Sequence, residues 1–359
     1  MEDFADDKTI PLAYYIIASI VDINGILSNI FTLIFISFTS LGSRSATILF
    51  RTQCGFDGLT CFFAMITLFT RTDASNYDGW FAEFLCHVWI SEYWVRLIEL
   101  LNVSNLMWIS IDRFCAVHLQ IKYKVFQKYE LFISYTFILC HAVFTPIPLL
   151  FTVEHKNATC SSNGLVYNSQ YANFIVYSWL VFAYLLPSFV MITCYSRVYY
   201  VIKRSVVKSQ STNSSSCTIE TSTQIGNTST FSELRTSKSI PTSTPSSSFR
   251  QVKSVLLSIT IMCALFVLSH SYYQIYSILS LLGAIQYQAL SIQRRLSVFF
   301  TVINSSLNPI ILLLSSQKLR KRLVRMFRKL CRKITFSKNH NTTITTMETS
   351  TKTSGDRSK

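Results

Sequence analysis

Seven stretches of this chain are long and apolar enough to cross a lipid bilayer, and that count constrains everything else about it. A helix needs about 20 mostly apolar residues to span the hydrocarbon core. Residues 12–38, 47–70, 86–118, 131–151, 172–202, 251–282 and 292–315 qualify. Lipid offers no partner to a backbone amide, so each stretch is expected to be a helix rather than an open strand. The third is the weakest by hydropathy, because it holds Glu92, Arg96, Glu99, Asp112 and Arg113. It is accepted because its neighbours otherwise cannot alternate sides. Of the 359 residues only 14% are charged, too few to cover the surface of a soluble globule. The expected fold class is an all-α membrane protein, a seven-transmembrane helix bundle.

The formal net charge of +15 would suggest a nucleic-acid partner if it were spread over a soluble face. It is localised instead. Thirteen of the 33 Lys and Arg lie from Lys318 onward, seven lie between Lys203 and Lys253, and Lys122, Lys124 and Lys128 share another polar gap. With seven spans these gaps and Arg44 fall on one side, which the positive-inside rule makes cytoplasmic. Glu2, Asp3, Asp6 and Asp7 then lie outside, in an N-terminal segment 1–11, and no basic n-region precedes the first apolar run. The first helix is expected to act as its own uncleaved signal. These features imply a multi-pass plasma-membrane protein with its C-terminus inside and no nucleic-acid partner.

Within the transmembrane domain 12–315, residues 205–249 are dense in Ser and Thr, contain Pro241 and Pro245, and show no helical period. A disordered cytoplasmic loop is expected there. After it, Leu319, Leu323, Met326, Phe327 and Leu330 recur at helical spacing among basic residues. Residues 316–331 therefore read as a short amphipathic helix on the inner leaflet, in contact with lipid. Cys331 at its end is a palmitoylation candidate. The tail 332–359 repeats the hydroxyl-rich composition, so loop and tail are candidate sites for kinases and arrestin. Asn157-Ala158-Thr159 is the one glycosylation sequon in an outer loop.

Several polar residues sit inside the apolar stretches, where they should face the bundle interior and find one another. They are Asn29, Asp57, the Asp112-Arg113-Phe114 triplet, and Asn304-Ser305-Ser306-Leu307-Asn308-Pro309. With Pro187 and Tyr195, and with the run from Asn105-Leu106 to Tyr123, they follow the order seen in rhodopsin-like G-protein-coupled receptors. The chain resembles a divergent member of that family, of the kind found among invertebrate neuropeptide receptors. No internal repeat favours the alternative of a transporter or channel.

The resemblance implies roles residue by residue. Asp57 with Asn29, Asn102, Asn304 and Asn308 would form an interior polar cluster able to hold a sodium ion; no other metal and no cofactor is implied. Asp112, Arg113 and Phe114 would form the G-protein switch, with Tyr195 as the active-state partner of Arg113. Cys86 and Cys160 would be bridged, although Cys86 stands about two residues farther from Arg113 than is usual. The chain also departs from the family. Ser269-His270-Ser271-Tyr272 replaces the sixth-helix Cys-Trp-x-Pro, Leu312 replaces the seventh-helix tyrosine, the fourth helix lacks its Trp, and no acid near Val252 faces Arg113. A seven-helix scaffold that does not couple to G proteins is the alternative function.

Val95 stands where amine receptors carry an anchoring Asp, so a biogenic amine is disfavoured. Asp22, Arg96, Glu99, His270 and Tyr273 offer charges of both signs and an aromatic face, which suits a peptide with a charged or amidated end. Alternatively Arg96 and Glu99, three residues apart, satisfy each other. No nucleophile elbow, phosphate-cradling glycine loop or metal-spaced His/Cys group is present, so no enzymatic activity is expected.

Overall fold

The computed structural model describes residues 11–39, 43–69, 79–156, 159–162, 169–215, 247–285, 292–329 and 332. Its long helices are α1 (Leu12–Ser37), α2 (Arg44–Phe69), α3 (Tyr93–His118), α4 (Gln120–Phe144), α5 (Leu186–Ser215), α6 (Ser247–Leu281) and α7 (Ile292–Ser315). A helical stretch at 317–329, here α8, follows α7. Among the described residues six spans are long and apolar enough to cross a membrane by composition; α3 is not among them. Its position explains why it tolerates Arg96, Glu99, Asp112 and Arg113. It packs against α2, α4 and α5 and touches α6, so its polar residues meet protein rather than lipid. Trp108 meets Phe137 edge to face, and Ser104 lies 2.8 Å from His141 Nδ1, so α3 is pinned to α4 without the family's fourth-helix tryptophan.

The helices outrun the apolar stretches. The fourth begins at Gln120 rather than near 131, α5 continues to Ser215, and α6 starts at Ser247. Hydropathy marks only the part of a helix that lies in lipid, and polar residues can extend it into water. Part of the loop expected to be disordered is thus helical, while 216–246 lies outside the described residues.

The third stretch is not one helix. A short helix at Trp80–Phe84 runs into a π-helical turn at Leu85–Ile90, and Glu92, with φ at 63°, breaks the chain direction before α3. A side chain in that left-handed region is uncommon and strained. The wide turn and the break together absorb the two extra residues between Cys86 and Arg113. The following loop holds an antiparallel hairpin that the sequence does not announce, β1 (Val153–Lys156) with β2 (Thr159–Ser162), in which His155 faces Cys160. The hairpin carries Cys160 to Cys86, and the disulfide forms with 5.6 Å between Cα atoms.

The main apolar core joins Phe50 of α2, Ile109 of α3, Ile259 and Phe266 of α6, Leu312 of α7 and Leu319 of α8. α1 closes on α2 and α7 at Gly25, where an added Cβ would collide with the Cys61 sulfur and come 3.1 Å from Ser306 Cβ. Gly25→Val is expected to cost about 1–3 kcal/mol by overpacking. Its signature is a lower melting midpoint for the purified protein, which Gly25→Ala shows to a smaller degree.

Candidate functional site

Three polar constellations lie along the axis of the bundle, at one end, in the middle and toward the Cys86 end.

At the first, α3 ends in the Asp112-Arg113-Phe114 triplet. Arg113 Nε donates to Asp112 Oδ2 at 2.7 Å, and Nη2 reaches the same oxygen. The arginine also donates to Ser43 Oγ at 2.9 Å, just ahead of α2. Tyr123, on the first turn of α4, donates to Asp112 Oδ1 at 2.6 Å and lies 3.1 Å from Ser43. Burial and the nearby Asp112 charge push the Tyr123 phenol above its ordinary range, so it remains a donor. Asp112 is fully buried, and its charge-assisted bonds are the strong kind. Phe114 turns away, its ring 4.8 Å from that of His118. Tyr195 makes no hydrogen bond to this group among the described residues; its hydroxyl donates to Ser110 Oγ at 2.9 Å. Leu312 is buried in the apolar core, so a tyrosine latch to Tyr195 is absent here.

Sequence reasoning missed two members of this group. Ser43 carried no signal, since a Ser in a short loop is unremarkable until the fold sets it against Arg113. Glu130 immediately precedes the apolar stretch 131–151, so hydropathy gives it no role. In the structure it is fully buried on α4, faces Asp112 and Ser45, and neither carboxylate oxygen has a hydrogen-bond partner among the described residues.

In the middle, Asp57 is fully buried on α2. Asn102 donates to its Oδ1 at 2.6 Å, Asn308 reaches both oxygens at 3.2 and 3.0 Å, and Gln53 donates at 3.2 Å. Gln53 was not expected, although it lies one helical turn from Asp57 on the same face. It also accepts from Asn105 at 2.8 Å, and Asn102 donates to Ser305 at 3.2 Å. Asn29 and Asn304, expected around Asp57, make no direct bond to it. Asn29 donates instead to the Gly25 and Ser305 carbonyls, at 2.9 and 3.1 Å, tying α1 to α7. The amide oxygens of Asn304 and Asn308 are buried without partners among the described residues.

Toward the Cys86 end, Val95, Arg96, Glu99, Tyr273, Ser297 and Thr301 are among the residues lining a cavity of about 30 Å³, room for a water or two. Arg96 donates to Glu99 at 2.8 Å, lies 3.8 Å from Glu92, and stacks over Tyr273 and Trp179 at 4.3 and 5.1 Å. The structure brings Val95, Arg96, Glu99 and Tyr273 to one cavity, with Arg96 and Glu99 satisfying each other. His270 stands behind it: its Nε2 is 3.3 Å from Glu99, close but without hydrogen-bond alignment, and its ring packs on Phe266. Asp22 does not join them; it is buried on α1 and is not a lining residue. Asn157 and Cys331 lie outside the described residues.

The family model of seven-transmembrane receptors of the rhodopsin family matches residues 28–312, a span that contains all three constellations. No curated protein matches the chain.

Proposed function

Because the chain belongs to the rhodopsin family of seven-transmembrane receptors, we propose that it converts binding of an extracellular peptide into activation of a heterotrimeric G protein. In this reading its N-terminus is outside and its Arg113 end cytoplasmic. The observation that carries it is the restrained Arg113 at the mouth of the bundle, held by Asp112 and Ser43, each of which also accepts a hydrogen bond from Tyr123. This is a closed state. Opening moves α6 outward and frees the arginine for the G protein and for Tyr195.

A ligand favours the open state only by its differential affinity. The narrow cavity requires the outer helix ends to part before a peptide end can enter. A charged or amidated terminus would compete for Arg96 and Glu99 inside their aromatic frame. Glu99 in turn faces His270 on α6, which takes the place of the family's tryptophan. Displacing Glu99 therefore acts directly on the helix that must swing. α6 contains no proline, so the swing proceeds without a proline hinge.

A sodium ion fits the middle constellation: Asp57 supplies a carboxylate, and the unpaired oxygens of Asn304 and Asn308 are hard donors. Such an ion would favour the closed bundle. The hydroxyl-rich loop and tail would present sites to kinases and arrestin.

The test is G-protein activation in cells expressing wild type or Arg113→Ala, without ligand and with a peptide library. A peptide-evoked signal that Arg113→Ala abolishes at matched surface expression is the expected result. Silence across G-protein classes with confirmed surface expression would instead favour a scaffold that does not couple.

A further inference from the structure

The contact between α3 and α6 is unfavourable as long as its histidine is neutral. His270 is buried on α6, with Nδ1 at 3.0 Å from the Phe266 carbonyl and at 3.0 Å from Ser269 Oγ. A carbonyl only accepts, so Nδ1 carries the hydrogen, and Nε2 of the neutral ring is then a bare lone pair. That lone pair lies 3.3 Å from Glu99 Oε1, and Nε2 is buried without a hydrogen-bond partner among the described residues. Two acceptors therefore face each other in a site that cannot solvate them. A proton placed between them turns the repulsion into a charge-assisted contact across α3 and α6. An indole at this position would bind no proton.

The surrounding charges call for the same proton. Glu92 and Glu99 bring two negative charges and Arg96 one positive, so the group sums to one negative charge. Glu99 Oε2 already accepts from Arg96 at 2.8 Å, which leaves Oε1 for His270. Among the described residues the other titratable groups that meet this cluster are phenols. Tyr273 lies under the Arg96 guanidinium, and Tyr184 is 2.7 Å from Ser271. α2 and α7 contribute Thr60, Ser297 and Thr301 to the adjoining cavity, and none of these titrates. One added proton brings the buried charge to zero, which a low-dielectric site favours. Imidazole is the side chain that takes up a proton between about pH 5 and 8. Glu99 lines the cavity toward the Cys86 end, so a proton arriving there meets the carboxylate first and the imidazole next.

We infer that Glu99 and His270 form a binding site for one proton from the extracellular side, so that external acid acts as a second ligand and stabilises the closed bundle. The words extracellular and closed rest on the receptor function proposed above; the proton site itself does not. The closed arrangement brings the imidazole to the carboxylate, so it binds the proton more tightly than an arrangement in which α6 has moved away. By linkage the added stability is complete at acid pH and is lost as the pH rises through the titration of the closed pair.

The experiment is nitrogen NMR of the purified full-length chain in detergent, with isotope-labelled histidine rings, in buffers from about pH 5 to 8. Of the six histidines, the one whose signal is missing from His270→Gln should carry protons on both ring nitrogens in acid and lose the Nε2 proton as the pH rises. His270→Asn gives the same assignment if the glutamine variant folds poorly. Glu99→Gln removes the facing charge and should weaken proton binding about tenfold. A thermal-shift series on the same samples reads the effect on the bundle. Across that pH range the wild-type midpoint should fall by about 2–4 °C relative to His270→Gln. A His270 ring with a single proton throughout, or a titration that Glu99→Gln leaves unmoved, would overturn the site. Parallel midpoint curves for wild type and His270→Gln would overturn the stabilising role of acid. Neither readout uses a peptide or a G protein, so failure here is distinct from failure of the receptor function.

Discussion

Glu99→Ala is expected to destabilise the closed bundle by about 3 kcal/mol, at the lower end of the cost of breaking a buried ion pair. The side chains of Arg96 and Glu99 are both only 8% exposed, and the carboxylate is the nearest compensation for the guanidinium. Its removal leaves a cation between Tyr273 and Trp179 with Glu92 at 3.8 Å as the remaining acid. Glu92 recovers part of the loss, which is why the low end is expected. His270 loses its acidic neighbour as well, so α3 and α6 part more easily. A thermal-shift scan of purified receptor should show a lower midpoint for Glu99→Ala and a smaller fall for Glu99→Gln, which keeps an acceptor. An unchanged midpoint in both would mean that Arg96 is satisfied without Glu99.

Asp57→Ala should be at least as damaging, for a different reason. Three amides, from Gln53, Asn102 and Asn308, converge on the fully buried carboxylate. Each buried donor left unpaired costs about 1–3 kcal/mol, so the combined loss is about 3 kcal/mol or more. The four helices that meet there, α1 by way of Ser305, would loosen together. Asp57→Asn retains one acceptor and should fall between alanine and wild type. If sodium occupies the cluster, wild type should gain thermal stability as sodium replaces choline in the buffer, and Asp57→Asn should not. Comparable stability of Asp57→Ala and wild type would contradict the network.

Much of this was legible in the sequence because lipid imposes simple rules. Apolar length locates spans, and a charge inside a span must face protein, which is how Asp57, Arg96, Glu99 and Arg113 stood out before any coordinates. What escaped was set by geometry that hydropathy does not record. Glu130 carried no signal because the polar run before it hides the start of α4 at Gln120. Ser43 meets Arg113 only once α2 is packed on α3. The break at Glu92 carries no Gly or Pro to announce it, and its cause is tertiary: Cys86 must reach the hairpin while Arg113 reaches the far end. Gln53 could have been found, since a polar residue one turn from a buried Asp shares its face. Asn29 and Asn304 show the limit of assigning neighbours by family order: Asn29 donates to the Gly25 and Ser305 carbonyls, and the Asn304 amide oxygen has no partner among the described residues.

The proposed signalling role rests on the Asp112 carboxylate holding Arg113 in a closed state. It is tested most directly by ligand-independent G-protein activation for wild type, Asp112→Asn and Arg113→Ala at matched surface expression. Asp112→Asn weakens the hold while preserving shape, so basal activation should rise above wild type, and Arg113→Ala should fall to background. Asp112→Asn at or below wild type, with normal surface expression, would contradict the account.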